Sequence, residues 1–294
     1  MADGIERAFD LHRDLPALLG LVANARAASH PHAFLHPGGV QWLLRRLGHG
    51  SFAVRQWTNG TGLAGAVIDD SDYVLLQTAT GSLEDHLWLL GVAETDLRGL
   101  AARSIEVSAW DEDRDLVSAL RSLGYEPSGT YGHELTVDCA GDHPDPALPD
   151  GFSMRHLGSE LDDAYVELHR AAWSTWAPST YDRAMHDVVT AMPDFDRALV
   201  PIVVAPDGRL AASCIGWFDP RTRTAEIEPL GTRPEFRQLG LARAVVDEVV
   251  RRSARRGAKT VVVWGVSANP VAVRLYESAG FRSRRILREY RRTL

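Results

Sequence analysis

Residues 237 to 243 read Arg-Gln-Leu-Gly-Leu-Ala-Arg, and residues 269 to 281 read Asn-Pro-Val-Ala-Val-Arg-Leu-Tyr-Glu-Ser-Ala-Gly-Phe. The first stretch is a loop that opens a helix. Ala242, Val245, Val246, Val249 and Val250 follow at the i, i+3, i+4, i+7, i+8 spacing of one buried helical face, and Gly257 closes the run. A helix start leaves backbone N–H groups unpaired and carries partial positive charge, which suits a phosphate. The peptide groups of Gln238, Leu239, Gly240, Leu241, Ala242 and Arg243 can approach one only where side chains stay clear, and Gly240 and small Ala242 provide that room. The second stretch predicts a short helix from Pro270 to a stop at Gly280, carrying Tyr276 and preceded by Asn269.

Working outward, 152–156 and the β-rich run 198–205 predict strands, the latter closed by the turn Pro206-Asp207-Gly208. Residues 162–173 have helical spacing through Ala164, Leu168, Ala171 and Ala172, and a second helix is expected over 181–192. Further strands are expected over 210–218, 225–232 and 260–266. Pro229 cannot donate to a ladder, so the second of these has an edge or a bulge there. This order predicts an α+β fold, a mixed, mostly antiparallel sheet flanked by helices.

The chain repeats itself. Arg103-Ser-Ile-Glu-Val followed by Leu120-Arg-Ser-Leu-Gly-Tyr matches Lys259-Thr-Val-Val-Val followed by Tyr276-Glu-Ser-Ala-Gly-Phe at one offset (259 − 103 = 156; 280 − 124 = 156). Between the copies lies a Pro-, Gly- and Asp-rich stretch without apolar period, so the expected organisation is two tandem domains, 1–140 and 151–294, joined by a linker over 141–150. On the same offset Gly240 falls on Glu84, Asn269 on Asp113 and Tyr276 on Leu120. A carboxylate at a phosphate-binding helix start is electrostatically wrong, so the first copy is expected to be degenerate and the second to work.

At 294 residues the chain suits two domains of ordinary size. The net charge of −7 argues against a general nucleic-acid or anionic-membrane surface, and no run approaches the ~20 apolar residues of a membrane span. Cys139 and Cys214 lie far apart without CxxC or Cys/His clustering, and His156, His169 and His186 lack metal-ligand spacing, so neither a disulfide framework nor a metal is expected. The first residues, Met-Ala-Asp-Gly-Ile-Glu, show no basic segment followed by an apolar one, and the cytoplasm is the expected compartment. Arginines crowd late: 251, 252, 255, 256, 284, 285, 288, 291 and 292. They form either a solvated face or a positive field for a phosphorylated cofactor.

Arg237, Gly240 and Ala242 match the Arg/Gln-x-x-Gly-x-Gly/Ala pattern of the GCN5-related N-acetyltransferases, and with Pro234, Asn269 and Tyr276 the last seventy residues resemble the acyl-CoA-binding core of that superfamily. The resemblance implies acetyl-CoA as cosubstrate and an amine as acceptor, joined by direct attack in a ternary complex. It implies that Leu230, Gly231 and Thr232 pair with the pantetheine arm, and that Tyr276 protonates the leaving thiolate, although Tyr276 shares a helical stripe with Ala272, Leu275 and Ala279 and could pack instead. Asn269 would bond the cofactor arm or cap its helix. Glu226 and Glu228 share one strand face; either could be the base or attract a cationic acceptor. Trp173, Trp176, Tyr181 and Trp217, with His169, Asp182 and Asp219 near them, would form an aromatic and acidic acceptor wall or ordinary core. The acceptor expected is a small-molecule amine. A protein amine, or a non-catalytic acyl-CoA sensor, remains the alternative.

Overall fold

The computed structural model describes residues 5–29, 33, 35–50, 52–59, 62–70, 73–99, 101–175 and 178–294. The first half runs β1 (Ile5–Ala8), α1 (Leu11–Ala27), α2 (Pro37–Leu44), β2 (Ala53–Asn59), β3 (Gly62–Asp70), β4 (Tyr73–Thr78), α3 (Leu83–Gly99), β5 (Ser104–Trp110), α4 (Arg114–Ser122) and β6 (Glu126–Asp138). The second runs β7 (Ser153–His156), α5 (Asp162–Trp173), α6 (Arg183–Thr190), β8 (Pro201–Val204), β9 (Leu210–Asp219), β10 (Thr224–Thr232), α7 (Leu241–Arg255), β11 (Thr260–Val266), α8 (Pro270–Ser278) and β12 (Arg282–Thr293). Between Asp138 and Ser153 there is neither helix nor strand.

The duplication is visible in the elements. β5 and β11, α4 and α8, and β6 and β12 each begin 156 residues apart (260 − 104, 270 − 114, 282 − 126). Asp113 caps α4 by accepting from Leu116 N–H, and Asn269 caps α8 by accepting from Ala272 N–H. One correction follows at the preceding helix: α3 starts at Leu83 and α7 at Leu241 (241 − 83 = 158), so Gly240 corresponds to Ser82 rather than Glu84. The loop lengths differ by two residues. Glu84 and Asp85 still occupy the first turn of α3, so that end repels an anion.

All twelve strands of the described residues join in one sheet, ordered β1-β2-β3-β4-β5-β12-β6-β11-β10-β9-β8-β7. Only the β4–β5 and β10–β11 pairs are parallel. The halves exchange their last strands: β12 lies against β5 of the first half, and β6 lies against β11 of the second. β12 carries most of the late arginines and was not among the expected strands. Their guanidinium groups meet carboxylates, as in Arg288 with Asp111 (2.6 Å) and Arg292 with Glu94 (2.6 Å), while Leu287 and Tyr290 are buried.

On one sheet face Val245, Val246, Val249 and Val250 of α7 pack with Ala225, Ile227, Val261 and Val263. Each valine or isoleucine buried in this way contributes roughly 1.5–3 kcal/mol. On the other face the core is shared: Leu18, Trp42 and Phe52 from the first half join Tyr165, Tyr181 and Trp217 from the second. The seam is tight. A Cβ at Gly38 would lie 2.1 Å from Trp217 Cβ, and one at Gly39 would lie 2.8 Å from Glu226 Oε2, so only glycine lets α2 sit this close to β9 and β10.

Candidate active site

β10 and β11 pair only from Thr224 with Thr260 to Ile227 with Val263. Beyond that point β10 follows β9, after a register shift between Ile227 and Leu230, while β11 follows β6 to Val266. The shift surrounds Pro229, which has no N–H to give. The strands therefore fork. Leu230, Gly231 and Thr232 pair with Cys214, Ser213 and Ala212 on one edge, and no described strand takes the edge facing the fork. Trp173 covers this stretch: a Cβ at Gly231 would lie 2.5 Å from its ring.

Past the fork, the backbone enters left-handed geometry at Gln238 (φ 64°) and at Gly240 (φ 79°), the N-cap of α7. Arg237, Gln238, Leu239 and Gly240 are exposed, and nothing lies within 4 Å of the place a Gly240 Cβ would occupy. The helix ladder opens with Ala244 N–H donating to Gly240 C=O, so the N–H groups of Leu241, Ala242 and Arg243 precede it. An open turn with these donors and a positive helix end suits a phosphate-bearing ligand. The two arginine side chains are engaged elsewhere. Arg237 donates to Ala172 C=O (2.9 Å) and Thr175 Oγ1 (3.2 Å), and Arg243 pairs with Asp247 and reaches Ser278 C=O. Arg251, Arg252, Arg255 and Arg256 lie at the far end of α7, roughly 16–24 Å away along the helix axis, and the first two pair with Glu248. These four arginines thus lie away from the turn at Gly240.

Tyr276 and Glu228 flank the fork from opposite faces. Tyr276 is buried in the α7-face core, and burial together with the charge of Glu228 pushes its phenol well above the ordinary range. Glu228 lines a cavity on the other face, where burial and then the neighbouring charge of Glu226 push its carboxyl up to about 7, opposed by Arg45. Glu226 is placed differently. It is 1% exposed, sealed beneath Gly39, with Oε2 3.4 Å from His36 Nδ1 and Oε1 accepting from Trp264 Nε1 (3.2 Å). No acceptor could reach it without moving α2. Asn269 spends its side-chain oxygen as the cap of α8.

The cavity at Glu228 encloses about 310 Å³, the small end of the range for small-molecule sites. Trp173 and Tyr181 line it. His169 lies between them, stacked on Trp173 at 4.2 Å and tilted against Tyr181 at 4.1 Å, and burial lowers its pKa to about 3, so it is neutral. Tyr181 is held from behind, its hydroxyl 2.9 Å from His186 Nδ1, with His186 Nε2 3.1 Å from Asp162. Trp217 does not line the cavity. It is fully buried under Gly38, where its indole N–H donates to Glu228 C=O (2.6 Å) and so fixes the strand at the fork. Asp182 caps α6, and Asp219 holds the turn after β9. Trp176 lies outside the described residues.

Three lining residues come from the first half and were not foreseen: Trp42, Arg45 and Arg46. The one signal for them was Gly38-Gly39 at the head of an apolar helix, a composition that permits close docking but does not say against what. A larger cavity of about 570 Å³ lies at the opposite end of β10, lined by Arg26, Arg221 and Arg285, away from the fork.

The sequence model of the acetyltransferase (GNAT) family matches residues 163–281. A mycothiol acetyltransferase of Streptomyces coelicolor is 30% identical over 142 residues, 48% of this chain and 46% of that protein, so the match spans about half of each. Among solved structures, the fold resembles a tandem GNAT protein from the clavulanic acid biosynthesis pathway (TM-score 0.69, 16% identity, 100% of this chain and 98% of that one). It also resembles a GCN5-related N-acetyltransferase from Sphaerobacter thermophilus (TM-score 0.65, 21% identity, 99% and 95%). No helix among the described residues is long and apolar enough to cross a membrane.

Proposed function

We propose, for a chain whose residues 163–281 match the sequence model of the acetyltransferase (GNAT) family, that it moves an acetyl group from acetyl-CoA to the amine of a small molecule by direct attack in a ternary complex. The observation that carries this is the fork, with an enclosed carboxylate of raised pKa on one face and a buried tyrosine on the other. Acetyl-CoA supplies the acetyl group as a thioester. Gly240 and the N–H groups of Leu241, Ala242 and Arg243 hold its diphosphate, and the free edge at Leu230, Gly231 and Thr232 receives its pantetheine arm.

Glu228 is the base. Its ionised form accepts the proton that the amine loses as nitrogen bonds to the carbonyl carbon, and a pKa near neutrality suits a base that must both take and release a proton at pH 7. A backbone N–H near Leu230 donates to the carbonyl oxygen as it gains charge. Tyr276 gives its proton to the sulfur as the C–S bond breaks. Glu226 does not touch the reactants; its charge raises Glu228. In this proposal the working domain is 151–294 and the first, degenerate copy is 1–140.

The test is release of CoA from acetyl-CoA against a panel of aminoglycosides, polyamines, amino acids, short peptides and a cysteinyl amino-sugar, the last chosen because the Streptomyces relative is a mycothiol acetyltransferase. Turnover with one small-molecule class supports the proposal. Acetyl-CoA binding without turnover across the panel rejects it in favour of a macromolecular acceptor or a sensor.

A further inference from the structure

The cavity at Glu228 has an unusual charge arrangement. Its lining includes one carboxylate, Glu228, two guanidinium groups, Arg45 and Arg46, and a histidine that burial keeps neutral. Arg45 is the informative one. It caps the C-terminal end of α2, is partly buried, and packs its guanidinium 3.7 Å above the Trp42 ring. One of its nitrogens donates to Trp42 C=O at 2.5 Å. No carboxylate among the described residues comes within ion-pair distance of it, whereas the half-buried Arg251 and Arg26 have carboxylate partners at 2.7 and 3.0 Å. Burial accordingly lowers its pKa to about 10, against the charge of Glu228.

An unpaired, partly desolvated guanidinium is costly, and the fold keeps it at the wall of a cavity. A planar fork of donors stacked on an aromatic ring is preorganised for an oxyanion, and a carboxylate is its natural bidentate partner. Glu228 across the same cavity requires an amine. From this juxtaposition we infer that the acceptor is zwitterionic, an amine bearing a carboxylate or similar acid group that pairs with Arg45 while its nitrogen faces Glu228. Trp173 and Tyr181 offer flat apolar walls for the remainder of such a molecule. The inference rests on the acyl-transfer proposal for the same site. It also gives the first half a part in the reaction, because α2 supplies the group that selects the acceptor.

The experiment compares glycine, leucine, phenylalanine and lysine with their methyl esters, by CoA release and, separately, by calorimetric binding without acetyl-CoA. The ester's amine is the weaker base and more readily neutral, so chemistry alone favours the ester. The expected result is the reverse, a preference for at least one free acid in kcat/KM of about ten- to a hundredfold, the range of a hydrogen-bonded charge pair. Arg45→Gln should erase the preference by raising KM for the acid, and Arg45→Lys should restore part of it. Losing the Arg45 charge also lets the Glu228 pKa rise, which slows acid and ester alike near pH 7, so the acid-to-ester ratio reads the anion site. The wild-type comparison needs no variant to fold. Turnover in which esters match or exceed the acids overturns the inference and leaves acyl transfer standing. Carboxylate-dependent binding that Arg45→Gln abolishes, without turnover of any amine, supports the anion site and rejects acyl transfer. Absence of both binding and turnover for every acid overturns the inference.

Discussion

Gly38 and Trp217 meet so closely that a single added methyl group would lie 2.1 Å from the tryptophan Cβ. The contact joins the two halves, since Gly38 opens α2 of the first and Trp217 holds the forked strand of the second through its bond to Glu228 C=O. Gly38→Ala should therefore destabilise by about 1–3 kcal/mol through overpacking, and depress turnover even at temperatures where the protein stays folded. Gly91→Ala, in α3 with nothing within 4 Å, is the control and should be neutral or stabilising by up to about 1 kcal/mol. Thermal melts of the two variants, read beside their rates, check this.

Gly240→Glu should abolish acetyl-CoA binding. The residue's φ of 79° strains any L side chain by about 1–2 kcal/mol, and a carboxylate at the start of α7 opposes the anion the helix end attracts. Gly240→Ala carries the strain without the charge and should weaken binding less. Calorimetric titration with acetyl-CoA separates the two contributions; equal losses would mean that charge at this helix end is irrelevant.

Tyr276→Phe keeps the ring that packs against Phe281 and removes only the hydroxyl. It should leave the Kd for acetyl-CoA unchanged and lower kcat about a hundredfold. An unchanged kcat would reduce Tyr276 to a packing residue.

The raised pKa of Glu228 has a consequence for stability. Its carboxyl moves from an ordinary 4.5 to about 7 on folding, so between those values the folded state binds more protons than the unfolded one. Stability must then fall as pH rises through that window. Glu228→Gln cannot ionise and should match the wild type near pH 4 while exceeding it at pH 8 by up to about 3 kcal/mol. Urea denaturation at the two pH values measures the difference.

Much of the second half was legible because its signals are local. The valine stripe of α7, the Gly240 turn and the Asn-Pro start of α8 each depend on neighbours in sequence, and the structure places those elements within a residue or two of expectation. The constant offset of 156 exposed the duplication for the same reason. What escaped depends on partners distant in the chain. β12 reads as a charged tail because its arginines make sense only beside Asp111, Glu94 and Glu106 of the other half. Glu226 and Glu228 alternate on one strand face and look equivalent, yet α2 seals one while the cavity opens at the other, and nothing within β10 announces the helix that does so. Trp217 has the chemistry of a cation site but is the floor on which α2 rests.

The most direct measurement is the pH profile of kcat/KM for the best amine of the panel, taken for the wild type and for Glu228→Gln. The wild type should rise with pH through a midpoint near 7, below the titration of an ordinary amine, as Glu228 becomes able to accept a proton. The variant should lack that limb and run about a hundredfold slower. A variant that keeps both the limb and the rate would contradict Glu228 as the base and, with it, the placement of the reaction at the fork.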